Sequence, residues 1–192
     1  MKKSVLRKIE KIKSKIKEND YSFISQNCIG GVIYKDIGKQ FLSPTINLYF
    51  DAKDFIKFVN NLEEYLKKEI NIYTENGVIV GELDDIKLYF LHYHQEEEAK
   101  EKWNIRKNRI LKENIFVICT DRDGFDQKCF EDFRKIKYPK VLITRNEDWK
   151  DEEFVIYLPK YKNCKYIPDT IPDREFYRYY KITKLINNVQ NK

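Results

Sequence analysis

"YSFISQNCIGGVIYKDIG", residues 21–38, decides how the chain is read. Tyr21 to Ser25 reads as a short buried strand. The chain then turns through Asn27 and Cys28, and a helix opens at Gly30-Gly31. Gly38 closes that helix, because glycine adopts the left-handed C-terminal cap without a Cβ penalty. A strand running through a tight turn into a helix is the first half of a βαβ unit.

The same alternation continues downstream. "TINLYF", 45–50, reads as a second strand opened by Ser43-Pro44, and Asp51 is placed to cap the helix that follows. That helix carries Phe55, Phe58, Val59, Leu62 and Leu66 on one face. Residues 77–93 predict a hairpin turning at Asp84-Asp85, and residues 96–113 a helix with acids in its first turn. "NIFVICTD" (114–121), "KVLIT" (140–144) and "EFVIYLP" (153–159) predict strands, with a helix over "QKCFEDFRKIK" between the first two. A closing helix is expected from Arg174 to Asn188. The pattern implies an α/β fold: a three-layer α/β/α sandwich around a mostly parallel, Rossmann-like sheet, with the antiparallel hairpin at one edge.

The chain has 192 residues, which suits one such domain over residues 21–192. Residues 1–20 stand apart as a basic amphipathic helix with Val5, Ile9, Ile12 and Ile16 on one face. Eight basic residues against three acidic ones give this segment +5 of the chain's net +6. The remainder is close to neutral, so no basic face for nucleic acid is expected. The leading helix either docks on the body, pairs with a partner, or lies on an anionic membrane surface. No run approaches the length of a membrane span, and no signal peptide is evident. The four cysteines, Cys28, Cys119, Cys129 and Cys164, lack C-x-x-C spacing. That predicts neither a zinc knuckle nor a disulfide framework, and points to a reducing cytoplasm.

Three groups of residues can carry chemistry. Asn27, Cys28, Gly30 and Gly31 lie where the first expected strand hands over to a helix, and such strand ends collect ligands in open α/β sheets. Their amides suit an anion, and Cys28 is either a nucleophile or a small packed hydrophobe. His92 and His94, the only histidines, share a strand face if the hairpin strand continues through them. They would then serve as general base and partner, or bind a metal with a nearby carboxylate. In the helix after them, Arg106 shares an apolar stripe with Ala99, Trp103 and Ile110, and Arg109 lies one turn away. An arginine there needs a carboxylate partner or an anionic ligand. Asp121-Arg122-Asp123-Gly124 follows a strand and reads as a turn.

"SQNCIGGVIYKDIG", "FLSPTINLYF", "FVNNLEEYL", "HYHQEEEAKEKWNIRKNRI" and "VICTDRDG" together resemble the bacterial family known as domain of unknown function 1919. The resemblance spans about residues 20–180 and leaves the basic leading helix outside. It implies a three-layer α/β/α fold and a link to exopolysaccharide or capsule biosynthesis. Its motif positions correspond to Asn27, Cys28, Gly30, Gly31, Ser43, Pro44, Asn47, His94, Trp103, Arg106 and Arg109.

The expected function is a cytoplasmic transferase of surface-polysaccharide assembly, acting on a phosphorylated or activated sugar, with peripheral contact at the inner membrane face through residues 1–20. His94, His92 and Cys28 are the candidate catalytic groups. Asn27, Gly30, Gly31, Ser43, Asn47, Arg106 and Arg109 are the candidate ligand-binding groups. No metal ligand set and no cofactor is assigned. The alternatives are a non-catalytic module that binds a sugar phosphate or a partner enzyme, and a metal-dependent hydrolase.

Overall fold

The computed structural model describes residues 20–167, together with Lys3, Leu6, Arg7, Ile9 and Glu10 of the leading segment, which are helical. Four strands form a parallel sheet in the order β1 (Ser22–Ser25), β5 (Ile115–Thr120), β6 (Lys140–Thr144), β7 (Val155–Tyr157). Parallel strands are stable only when both faces are covered, and alternate residues of these strands enter two separate cores. Phe23, Phe116, Ile118, Val141, Ile143 and Ile156 point to one face, where α1 (Ile29–Ile37) lays Ile29, Ile33 and Tyr34 on them. Ile24, Val117, Cys119, Leu142 and Val155 point to the other. There α2 (Ala52–Asn60), α4 (Glu96–Lys107) and α5 (Gln127–Arg134) bring Phe55, Phe58, Trp103, Phe130 and Phe133. Helices on both sides of the sheet make the expected α/β fold.

Ile9 is buried in the α1-side core, so the leading segment docks on the body at that residue. Val5, Ile12 and Ile16, and the helix expected over residues 174–188, lie outside the described residues.

Three local expectations change. Residues 45–50 form no strand: Asn47 has a φ of +65°, and only Tyr49 bridges across, to Tyr89. Ile46, Leu48 and Phe50 are nonetheless all fully buried, which is the alternation that resembled a strand. The helix after Asp51 breaks at Asn61, whose non-helical backbone separates α2 from α3 (Leu62–Lys67). The hairpin, β3 (Val78–Leu83) and β4 (Ile86–Tyr89), turns at Asp84 with φ +61° and gains a third strand, β2 (Asn71–Glu75). Together they form their own antiparallel sheet, which touches the segment after β1 through the Tyr49–Tyr89 bridge. β2 was not legible because most of its residues face solvent and bury little.

Gly30 is required by close approach rather than by backbone angle. A Cβ there would lie 2.9 Å from Ser25 Cβ and 3.3 Å from the Phe23 carbonyl oxygen. Its N–H already donates to Ser25 Oγ at 3.2 Å. Gly30→Ala should therefore separate α1 from β1 and cost about 1–3 kcal/mol. Thermal denaturation of the variant should show a midpoint several degrees lower, and an unchanged midpoint would refute the contact.

Candidate functional site

A cleft of about 820 Å³ opens at the carboxyl ends of β1 and β5, the place where open α/β sheets gather ligands. Asn27, Cys28 and Gly31 line it from the β1–α1 turn, and Lys35 from two turns into α1. Asn47, Tyr49 and Asp51 line it from the loop that replaces the expected strand, and His92 from the segment after β4. Thr120, Arg122 and Asp123 line it from the end of β5.

Gln26, which no sequence motif marked, fixes the cleft floor. It is fully buried, and its Oε1 accepts from the Thr120 N–H and the Thr120 hydroxyl, both at 2.9 Å. Its own N–H donates to the Ile118 carbonyl and its carbonyl accepts from Phe50 N–H. Asn27 then donates to Thr120 Oγ1 at 3.1 Å and accepts from Ile29 N–H. The turn is thus tied to both strands and to the first turn of α1.

These bonds change the role expected of the two glycines. The amides of Ile29 and Gly30 already have acceptors in Asn27 and Ser25, and Gly30 is not on the cleft wall. Gly31 is on the wall, but a Cβ there would meet Ile46 Cγ2 at 3.2 Å. Both glycines serve packing first. Cys28 stands at the N-cap position of α1, half-buried and on the wall. Ser43 is fully buried and bonded to Thr45, whose hydroxyl in turn accepts from Ser25 N–H at 2.9 Å. It completes the edge of β1 and does not reach a ligand position.

The histidines part company. β4 ends at Tyr89 and residues 91–94 turn, so the period-two alternation that put both rings on one face stops before them. His92 reaches the cleft, whereas His94 is exposed and off its wall. Tyr93 turns inward instead and takes a hydrogen bond from Arg106 Nη1. Arg106 is buried as expected, yet among the described residues it makes no ion pair. Its guanidinium donates to the Ile46 carbonyl at 3.2 Å and lies 5.2 Å from the centre of the Phe41 ring. Phe41 is a cleft residue, so Arg106 braces that wall from behind rather than entering the cleft. Arg109 is bonded through its backbone to Arg106 and is also off the wall.

Two carboxylates occupy the cleft that motif reading placed elsewhere. Asp51 fills the N-cap position of α2 but makes no capping bond with its side chain. Asp123 lies in the turn after β5 with φ +53°. Ala52 N–H donates to the Asp123 carbonyl at 2.8 Å, which brings the two residues to one side of the cleft. Burial pushes the Asp123 carboxyl above the usual carboxylate range; Arg122 opposes this and Asp51 adds to it. Desolvation and Asp54 raise Asp51 in the same direction. Asp51 is exposed at the rim, where water screens the effect, so Asp123 is the better-defined case. Tyr49 stacks on Tyr89 with ring centres 4.6 Å apart and planes 15° from parallel, giving the cleft a flat aromatic side. Arg122 donates to the Ile167 carbonyl at 3.0 Å and stands over the Tyr166 ring.

The site therefore combines a desolvated acid, an imidazole, a thiol, an aromatic plane and the cations Lys35 and Arg122. An uncharacterized protein of Haemophilus influenzae is 31% identical to this chain over 159 residues, which cover 82% of the chain and 77% of that protein. The family described as Domain of unknown function (DUF1919) matches residues 1–190, so the match takes in the leading basic segment that the quoted motifs left out. The chain belongs to the DUF1919 family.

Proposed function

We propose that the cleft is the active centre of a transferase acting on a phosphorylated or activated sugar, in the service of surface-polysaccharide assembly. The observation that carries the reading is Asp123: a half-buried carboxyl of raised proton affinity, beside a second carboxylate, at the carboxyl end of a parallel strand. A carboxylate whose conjugate acid is weakened in this way is a better base near neutrality. In the reaction, the acceptor hydroxyl gives its proton to Asp123, and the oxygen forms a bond to the donor's electrophilic carbon. The bond to the anionic leaving group breaks, and Lys35 and Arg122 take up its charge. Tyr49 offers its ring to the apolar face of the sugar, and His92 exchanges the proton with solvent. The competing reading is a binding module with no turnover.

Asp123→Asn separates the two. Asparagine tolerates the left-handed backbone of this position, so the fold should be retained. Stabilisation by nucleotide sugars or sugar phosphates in a thermal-shift screen should persist, while turnover of the same compounds falls by roughly 10²- to 10⁴-fold. If no compound is turned over by the wild-type protein while binding is clear, the module reading replaces this one.

The same substitution tests the electrostatics independently of substrate. The Asp123 carboxyl binds its proton more tightly in the folded than in the unfolded chain. Its contribution to stability is therefore fully present below the ordinary aspartate value of 3.8 and is lost as pH rises through the raised folded value. Asp123→Asn should unfold at the same or higher temperature than wild type at pH 7, with the difference shrinking toward acid pH. A variant markedly less stable at neutral pH would show the carboxylate to be a net stabiliser.

The proposal extends to the inner membrane face. Lys3 and Arg7 are exposed beside the docked Ile9, and basic side chains near anionic lipid contribute about 1 kcal/mol each. Vesicles rich in anionic lipid should carry the protein on flotation at low salt and lose it at high salt. Absence of flotation at low salt removes the membrane role. Among the described residues no helix is long and apolar enough to cross a membrane.

A further inference from the structure

A second pocket, of about 550 Å³, lies on the other side of the β5 end, between β5 and β6. Neighbouring residues of a strand point to opposite faces, and here Thr120 lines the first cleft while Asp121 lines the second pocket. The Asp121 side chain is only 4% exposed. Its Oδ2 accepts from the Thr144 hydroxyl and from Arg145 N–H, both at 2.8 Å, but its Oδ1 has no hydrogen-bond partner among the described residues. Arg145 lies on the same wall, with its side chain 32% exposed. Its Nε is buried without a hydrogen-bond partner and stands 4.0 Å from Asp121 Oδ2, too far to bond. Buried polar atoms are nearly always satisfied, so one acceptor and one donor at the base of a pocket call for a group that can serve both.

A hydroxyl is such a group, since it donates once and accepts twice. Glu147 is already paired with Lys162, so an anion would face Asp121, Asp126 and Asp148, while a cation would leave the Arg145 donor unanswered. A neutral polyol meets neither penalty. Phe125, packed edge to face on the buried Trp149 at 5.5 Å, adds a small apolar patch beside these groups.

We infer that this pocket binds the hydroxyl groups of an uncharged sugar, with Asp121 Oδ1 as acceptor and Arg145 Nε as donor. Sugar binding here does not depend on the transfer reading of the first cleft.

Saturation-transfer NMR on the full chain, with methyl glycosides of glucose, galactose, mannose and N-acetylglucosamine as probes, tests it. At least one glycoside should bind at millimolar concentration, and Arg145→Leu should weaken it roughly tenfold, as loss of a hydrogen bond from a charged donor does. Asp121→Asn keeps an acceptor for Thr144 and the Arg145 amide but alters Oδ1. It should weaken binding similarly, and it decides the matter if Arg145→Leu does not fold. The inference is overturned if no glycoside binds, if binding is indifferent to both substitutions, or if inorganic phosphate or a simple alkylamine displaces the sugar. Should glycosides bind here while sugar phosphates fail to bind the first cleft, the pocket stands as a sugar site and the transfer reading alone falls.

Discussion

The buried amide of Gln26 holds the carboxyl ends of β1 and β5 in register, and the cleft takes its shape from those bonds. Parallel neighbours are joined by evenly spaced backbone bonds that stop where the strands stop. Beyond that point the Thr120 N–H would be left without a partner. The Gln26 side chain prevents this, accepting from the Thr120 N–H and hydroxyl while its backbone reaches Ile118 and Phe50. Hydrogen bonds of this kind add only about 1 kcal/mol each, but a buried group left unsatisfied costs about 1–3 kcal/mol. Position 26 is therefore held by the loss that would follow its removal. Asn27, Cys28 and Thr120 inherit their positions from it.

The layers were legible because the strands that make them are almost wholly apolar and the helices between them amphipathic. Residues 115–120 and 141–144 are buried at every position, and a parallel strand covered on both faces requires just that composition. Where reading failed, a local signal was ambiguous. Ile46, Leu48 and Phe50 alternate as a strand would, but Asn47 bends the chain and the intervening Tyr49 is turned toward the cleft. The buried alternation comes from a loop pressed between α1 and β4, not from a ladder. β2 failed for the opposite reason: it pairs along its full length with β3 yet leaves most of its side chains in water.

The cleft was half legible. Asn27, Cys28 and Gly31 reach it because the end of a strand before a helix is a topological fact that sequence order preserves. His92 reaches it, but for a different reason from the one expected, since the strand stops before it. Arg106 was recognised as a buried charge, and its partners proved to be a carbonyl, a phenol and a ring rather than a carboxylate. Asp51 and Asp123 were seen only as cap and turn, because each is a good local fit for those roles. What makes them site residues is their convergence across 72 positions through the Ala52–Asp123 backbone bond, and no local pattern records that.

Three carboxyls near the end of β5 and the start of α2, Asp51, Asp121 and Asp123, are all pushed above their ordinary proton affinity, with burial the leading cause in each. Asp51 is exposed at the rim, but a fold selected for stability alone would also pair or expose Asp121 and Asp123. Arg145 stands at 4.0 Å from Asp121 and Arg122 turns part of its guanidinium to Ile167, so neither cation relieves its neighbour fully. Elsewhere on the surface acids sit against lysines, as Asp132 does against Lys135 at 2.8 Å. The difference lies in solvent rather than in charge: at the strand ends water is partly excluded, so a carboxylate there is costly unless a ligand or a proton answers it. That concentration of polarity at one edge of the sheet, on both sides of a single strand, is the physical argument for taking this edge as the candidate site.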